Sequence, residues 1–270
     1  MENFERMFST AGKVALVTGG SAGIGFAIAH ALAHSGARVL IASRKEAVCR
    51  EAADAINAEA PAGRAEALPG DVATEQGVAD LIARVGKTTD RLHILVNNAG
   101  KTWGAPLETF PYKAWAEVMN VNVAGPFALI QGLLPQLKAA ADPEDPARVV
   151  NIGSMVGDRP VAESAYSYAA SKAALHHLTR ILAHELAGQA ITVNAIAPGI
   201  FESRMTAFVM KDAERHAKTS GHIPMKRIGT DADIAGPIAL LCGRAGSYIT
   251  GAVLPVDGGL GILPSAELFS

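Results

Sequence analysis

Six short apolar runs rich in β-branched residues recur along the chain: VALVT (14–18), RVLIA (38–42), HILV (93–96), RVVNI (148–152), ITVNAIA (191–197) and AVLPV (252–256). Runs this short and this apolar suit strands buried on both faces, as a parallel sheet covered by helices requires. RAEALPGDV (64–72) fits a seventh strand less clearly. Between these runs, 23–35, 45–58, 74–86, 113–139, 165–187 and 231–243 carry a helical period. Strand and helix alternating throughout predict one α/β domain spanning 1–270, a doubly wound parallel sheet of Rossmann type with about seven strands. The polar, Pro-rich ADPEDP (141–146) reads as a turn inside that domain.

With 49% hydrophobic residues and a net charge of −2, the 270 residues can bury a sizeable core and have no bias toward polyanions. Aromatics at 5% leave too few rings for a nucleic-acid stacking platform. Cys49 and Cys242 lack CxxC spacing and read as core thiols of a reducing compartment. MENFERMFSTAGK resembles neither signal peptide nor anchor, and no apolar run reaches ~18 residues. A soluble, cytoplasmic protein without nucleic-acid or membrane partners is expected.

Tyr168 and Lys172 fall four apart in SAYSYAASKAAL, on one face of a helix. A tyrosine titrates near ~10. An ammonium at ~4 Å, with an effective dielectric near ~20, favours its anion by ~4 kcal/mol. That is roughly three pKa units, enough to bring a phenol into general acid–base range. Around the pair stand TGGSAGIG (18–25), NNAG (97–100), Asn122 in VMNVNVAG and Ser154 in NIGSMVG. In this order they resemble the short-chain dehydrogenase/reductase family, over Lys13 to Gly261. The resemblance implies that Asn122, Ser154, Tyr168 and Lys172 form the family's catalytic tetrad. Within the family the chain looks most like the 3-oxoacyl reductase branch, which includes the rhamnolipid-pathway reductase. Trp103 after NNAG, the fourteen-residue step from Ser154 to Tyr168, and PGIFESRM carry that likeness.

TGGSAGIG follows the first predicted strand and opens the first predicted helix, as a dinucleotide loop must. Gly19, Gly23 and Gly25 allow a tight turn, and the helix start, with Ile24 in it, offers N–H groups to a pyrophosphate. Gly19, Ser21 and Gly23 also satisfy the G-x-S-x-G of a hydrolase elbow. No HGGG loop or matching triad accompanies it, so Ser21 reads as a turn residue near the adenosine phosphates. The second strand ends Ala42-Ser43-Arg44-Lys45, with no acid to hold a ribose 2′-OH. Ser43 and Arg44 suit a 2′-phosphate, which predicts NADP(H), with NAD(H) the alternative. The plainer reading is a solvated helix start with Glu46 pairing the cations. Ala22 stands where NADP(H)-preferring relatives often carry Arg. By resemblance Asp71 and Val72 flank the adenine, and Asn98, Ala99 and Gly100 its ribose; Asp71 alternatively caps the helix near Thr74. Pro198, Gly199, Ile200, Phe201, Glu202 and Ser203 resemble the nicotinamide-side loop.

A ketone that accepts hydride needs a donor to hold its oxygen and an acid to protonate it. The resemblance gives these roles to Ser154 and Tyr168. It has Lys172 lower the phenol pKa and bond the nicotinamide ribose, while Asn122 shapes the long helix and holds a water that reprotonates Lys172. The expected reaction interconverts a ketone and a secondary alcohol, with a 3-oxoacyl compound (carrier-bound, CoA-linked or free) as first candidate. An NAD-dependent secondary-alcohol, sugar or steroid dehydrogenase is the alternative, and a non-catalytic dinucleotide sensor the rival of another class. His30 and His34 are spaced for zinc but lack a third ligand, so no metal is expected. His176, His177 and His184 read as packing or subunit-contact residues.

Residues 201–228 form a candidate lid. Its Met205, Phe208, Val209, Met210, Ile223 and Met225 suit an acyl or ring-bearing substrate. Carrier-protein reductases of the family tend to offer cations before the fifth strand, where this chain has ADPEDPAR. The helices at 113–139 and 165–187 carry apolar residues on more than one face: Val118, Val121, Phe127, Ile130 and Leu134, then Leu175, Leu178, Ile181, Leu182 and Leu186. That surplus, with the final strand and its apolar tail, predicts a homotetramer. Packing within one subunit is the alternative.

Overall fold

Strands β1 (Val14–Thr18), β2 (Arg38–Ala42), β3 (Arg64–Ala67), β4 (Ile94–Asn97), β5 (Ala147–Ile152), β6 (Ile191–Pro198) and β7 (Val253–Val256) pair in parallel in the order β3-β2-β1-β4-β5-β6-β7. This computed structural model describes residues 4–60, 62–160, 164–202 and 212–262. The central strands are buried along their whole length, which is why they read as unbroken apolar runs. The less regular 64–72 run is a strand only over its first four residues and ends before Pro69, which has no N–H to offer a ladder.

Alternate side chains leave opposite faces of the sheet. Ala15, Val17, Val39 and Ile41 pack under α1 (Gly23–His34), α2 (Glu46–Glu59) and the helix Asp231–Cys242. Leu16, Leu40 and Leu95 pack under α3 (Glu75–Thr88), α5 (Gly125–Gly132), α6 (Leu134–Ala140) and α7 (Tyr166–Ala187). Strand order reverses between β1 and β4, so the crevice at their carboxyl ends is where an open α/β sheet takes a ligand.

The segment read as one helix over 113–139 is broken. It runs as α4 (Lys113–Met119), a π-turn over Asn120–Ala124, then α5 and α6. Prolines account for both breaks. Pro126 cannot donate the i→i−4 bond to the Asn122 carbonyl, so the helix widens there, and Pro135 begins a new helix bent by 57° from the last. Among the described residues two further α-helices follow: α8 (Ala213–His222), part of the candidate lid, and α9 (Asp231–Cys242), opened by a Thr230/Asp233 capping box. Among the described residues no single helix is long and apolar enough to cross a membrane.

At the opposite end of the sheet, the buried cations Lys13 and Arg148 share the half-buried carboxylate of Asp145. Lys13 Nζ lies 2.7 Å from Asp145 Oδ1 and donates to the Cys242 carbonyl, while Arg148 reaches Asp145 and the Gly243 carbonyl. Burial lowers the pKa of both cations, and Asp145 opposes the shift. The cation of ADPEDPAR is therefore turned inward.

Candidate active site

Two adjoining cavities follow the carboxyl ends of the strands. One, of about 420 Å³, is lined by the glycine loop, the β2 tip, Asp71, Val72, Ala99 and Gly100. The other, of about 290 Å³, is lined by Gly23, Ile24, Gly25, Asn98, Ser154, Tyr168, Lys172, Pro198, Gly199 and Phe201. Gly19, Ala22, Ala99 and Gly100 border both. Most of the sequence-predicted residues inside the described segments line this groove, but Asn122, Ile200 and Glu202 line neither cavity. Ser203, Met205, Phe208, Val209 and Met210 lie outside the described residues.

Thr18 ties the two loops at the β1/β4 crevice. Its hydroxyl donates to the Val96 carbonyl and accepts the N–H groups of Asn98 and Ala99 at 3.0 and 3.1 Å. The Asn98 amide donates to the carbonyls of Thr18 and Gly19, so this side chain braces the glycine loop and borders the second cavity, not the adenosine end. Gly19 has φ +66, and a Cβ on Gly25 would overlap the Gly19 carbonyl; the loop closes onto α1 only without those side chains. No side chain caps the start of α1 at Ala22, which leaves its first N–H groups for an anion.

Ser21 donates to Ser43 Oγ at 3.1 Å, and Ser43 Oγ lies 2.9 Å from Cys49 Sγ. Among the described residues Ser21 has no histidine or carboxylate beside it, so the elbow reading fails on geometry. Glu46 pairs with Arg50, not with the strand-tip cations. Arg44 and Lys45 are exposed at the cavity rim without an acidic partner among the described residues. Asp71 accepts the Ala73 N–H at 3.0 Å, while Thr74, accepting from Gly77 at 3.1 Å, is the cap of α3. Asp71 is not the cap.

α7 begins at Tyr166, so Tyr168 and Lys172 sit in its first two turns beside Ser154, which follows β5. Ser154, Lys172 and Asn122 are all buried. Lys172 Nζ donates to the Ile152 carbonyl at 2.7 Å and stands 5.6 Å from the centre of the Tyr168 ring. Burial lowers its pKa from 10.5 to about 8. The expected drop in the phenol pKa is absent here: burial pushes Tyr168 up, and only the Ser154 hydroxyl pulls it back. The reason is placement, since the ammonium is engaged by a backbone carbonyl and the phenolate would lose its hydration. Asn122 lies in the π-turn. Its side chain donates to the Lys101 carbonyl and Ser171 Oγ, both at 2.9 Å, and accepts the Lys101 N–H at 2.8 Å, tying the NNAG loop to α7.

Phe201 is buried, with its ring against Gly229, and it also lines a third cavity of about 320 Å³ with Ile200, Ile223, Met225 and Val256. His30 and His34 stack, and His30 lies 3.1 Å from Glu59.

Residues 19–261 match the family model described as enoyl-(acyl carrier protein) reductase. The chain is 48% identical over 252 residues to the rhamnolipids biosynthesis 3-oxoacyl-[acyl-carrier-protein] reductase of Pseudomonas aeruginosa, covering 93% of this chain and 97% of that one. It belongs to the short-chain dehydrogenase/reductase family. The 3-oxoacyl-[acyl-carrier-protein] reductase FabG of the same organism is 36% identical, covering 93% of this chain and 98% of its own length. Among solved structures of the family, the Pseudomonas aeruginosa RhlG/NADP active-site complex superposes with a TM-score of 0.92 at 47% identity, covering 95% of this chain and 99% of that one. The protein is therefore an oxidoreductase of the short-chain family, interconverting ketones and secondary alcohols.

Sequence reasoning missed the bracing roles of Thr18 and Asn98, and the contacts of His176 with the Ser154 N–H and Asp158. Thr18 ends a strand and Asn98 opens the facing loop, a pairing visible only once β1 and β4 are known to be neighbours. His176 had a legible signal: it continues the Tyr168, Lys172 spacing by one more turn.

Proposed function

We propose that this short-chain dehydrogenase/reductase reduces a 3-oxoacyl compound to the 3-hydroxyacyl product with NADPH. The observation that carries the reading is the convergence of Ser154, Tyr168 and Lys172 on the cavity that adjoins the glycine loop. The groove fits a dinucleotide: Gly19 and Gly25 let the loop fold tightly against the NNAG segment and α1, and the uncapped start of α1 presents N–H groups to a pyrophosphate. Ser21, Ser43 and Arg44, which has no acidic partner among the described residues, would hold a 2′-phosphate, with Asp71, Val72, Ala99 and Gly100 around the adenosine. Ile24, Pro198, Gly199 and Phe201 would border the nicotinamide end, and the bound cofactor would supply hydride. That the similar RhlG structure is an NADP complex supports this choice.

Tyr168 is held protonated by burial, the state a proton donor to a ketone oxygen needs. Ser154 donates to the same oxygen as charge develops. Lys172 keeps a positive charge beside the phenol as it gives up its proton, and Asn122, from the π-turn, sets the spacing between the NNAG loop and α7. Ile200, Ile223 and Met225 offer an apolar bed for an acyl tail. The inward-facing Arg148 leaves 141–148 without a cationic patch for an acidic carrier, which favours a free or CoA-linked substrate over a carrier-bound one. The two buried free thiols suit a reducing, cytoplasmic setting, and the proposed assembly is a homotetramer.

The test is NADPH oxidation with ethyl acetoacetate and acetoacetyl-CoA. Turnover by the wild type and its loss in Tyr168→Phe, with NADPH affinity unchanged, are expected. Full activity in Tyr168→Phe would remove the phenol from the mechanism, and inertness toward both compounds would remove the substrate class.

A further inference from the structure

α7 carries a third side chain on the stripe that holds Tyr168 and Lys172. His176 lies one turn beyond Lys172, and its ring is buried between Gly153 and Gly157, which flank Ser154. A Cβ on Gly153 would overlap Nε2, and one on Gly157 would sit 2.9 Å from Cε1. Nε2 accepts the backbone N–H of Ser154 at 3.4 Å, and Nδ1 lies 3.2 Å from Asp158 Oδ1. A neutral imidazole has one donor nitrogen and one acceptor. The Ser154 amide can only donate, so Nε2 is the acceptor and the proton sits on Nδ1, facing the Asp158 carboxylate. The ring therefore spans the loop from its seryl amide to its closing carboxylate.

We propose that His176 is a positioning residue for the reduction: its Asp158-bound Nδ1–H tautomer clamps the Ser154 amide and fixes the seryl hydroxyl beside Tyr168, and protonation of Nε2 releases the clamp. Protonation would set two N–H donors against each other, and the loop would have to move. The assignment rests on the catalytic roles given to Ser154 and Tyr168 above. The charged groups acting on the ring are Asp158, which favours the imidazolium, and Lys172 and Arg180, which oppose it. Burial opposes it more than either, holding the pKa below the ordinary 6.5. Strand β6, beside Gly153, contributes no titratable side chain. Turnover should accordingly fall with an acid limb placed below 6.5.

Three variants and one spectrum decide it. His176→Leu fills the space without an acceptor, and should lower kcat about tenfold, the value of one lost hydrogen bond, with NADPH affinity kept. His176→Gln places a non-titrating amide oxygen within reach of the Ser154 N–H, and should restore most of that loss while erasing the acid limb. Asp158→Asn should move the limb to lower pH. Independently of any substrate, ¹⁵N-edited NMR of the imidazoles in the wild type should show His176 as the Nδ1–H tautomer at neutral pH, with the Ser154 amide shifting as the ring titrates. An Nε2–H tautomer, or a His176→Leu enzyme with wild-type kcat and pH profile, would overturn the proposal. If His176→Leu does not fold, the glutamine variant and the spectrum still give the answer. A wild type inert toward 3-oxoacyl compounds would defeat the substrate reading while leaving the tautomer test standing.

Discussion

A buried lysine ammonium whose one hydrogen-bond partner is a backbone carbonyl is destabilising, and among the described residues Lys172 is that case. Its pKa falls from 10.5 to about 8, so the unfolded chain binds that proton more tightly than the folded one. The penalty is full below about 8, amounts to ~3 kcal/mol, and fades as pH rises toward 10.5. Lys172→Met removes it but strands the Ile152 carbonyl, at ~1 kcal/mol. The variant should be inactive yet more stable than wild type by ~2 kcal/mol at pH 7, with the gap closing at high pH. Urea denaturation of the two proteins across that range measures it, and a gap independent of pH would show that burial does not tax the ammonium. At the adenosine end, Arg44→Asp should shift preference from NADPH toward NADH by tenfold or more, since one charge-assisted bond is worth more than the ~1.4 kcal/mol this requires. Initial rates with both coenzymes check it; a wild type that already prefers NADH would defeat the reading of the β2 tip. Tyr168 and Lys172 could be read as a pair because a four-residue step shares a helix face, whereas Asn122 and Ser154 were assigned by the family resemblance. The direction of the Tyr168 shift was not, because a pairwise Coulomb estimate contains no burial.

At the scale of elements, the strand runs could be read because both faces of the central strands are buried, leaving no polar alternation to confuse with a helix. The long fourth helix misled for the opposite reason: its apolar period continues through Pro126 and Pro135, and periodicity alone does not register a missing N–H. The break matters for the site, since it puts Asn122 in the π-turn, where its side chain links Lys101 to Ser171. The ion cluster at the amino-terminal end of the sheet was invisible in sequence, its members being 132 and 3 residues apart in the chain. Asp145 there serves two buried cations, and Asp145→Ala would leave both uncompensated. Loss of one partner of such a pair typically costs ~3–5 kcal/mol. The expected result is a large fall in the urea midpoint with no change in kcat of the folded fraction. A midpoint near the wild type's would mean that water reaches Lys13 and Arg148 and replaces the carboxylate.

At the scale of the molecule, most of the surplus apolar residues that suggested assembly are spent inside the subunit. Val118, Ile130, Leu175, Leu182 and Leu186 are buried, and Val121, Leu134 and Leu178 pack against the core. What remains outside is Phe127 on α5 and Ile181 on α7, 42% and 49% exposed, with Trp115 on α4 at 39%. β7 adds a partly exposed edge to the sheet, and the apolar tail that follows it lies outside the described residues. Phe127 and Ile181 on two helices, and the β7 edge as it stands among the described residues, are two different surfaces. A two-fold through each would generate a closed tetramer of dihedral symmetry, the assembly proposed above. Light scattering at micromolar concentration should therefore give about four times the 27.9 kDa of the chain. Phe127→Lys combined with Ile181→Lys, which alters one surface only, should leave dimers held by the β7 edge. A wild-type mass near 27.9 kDa would show that those side chains simply face water.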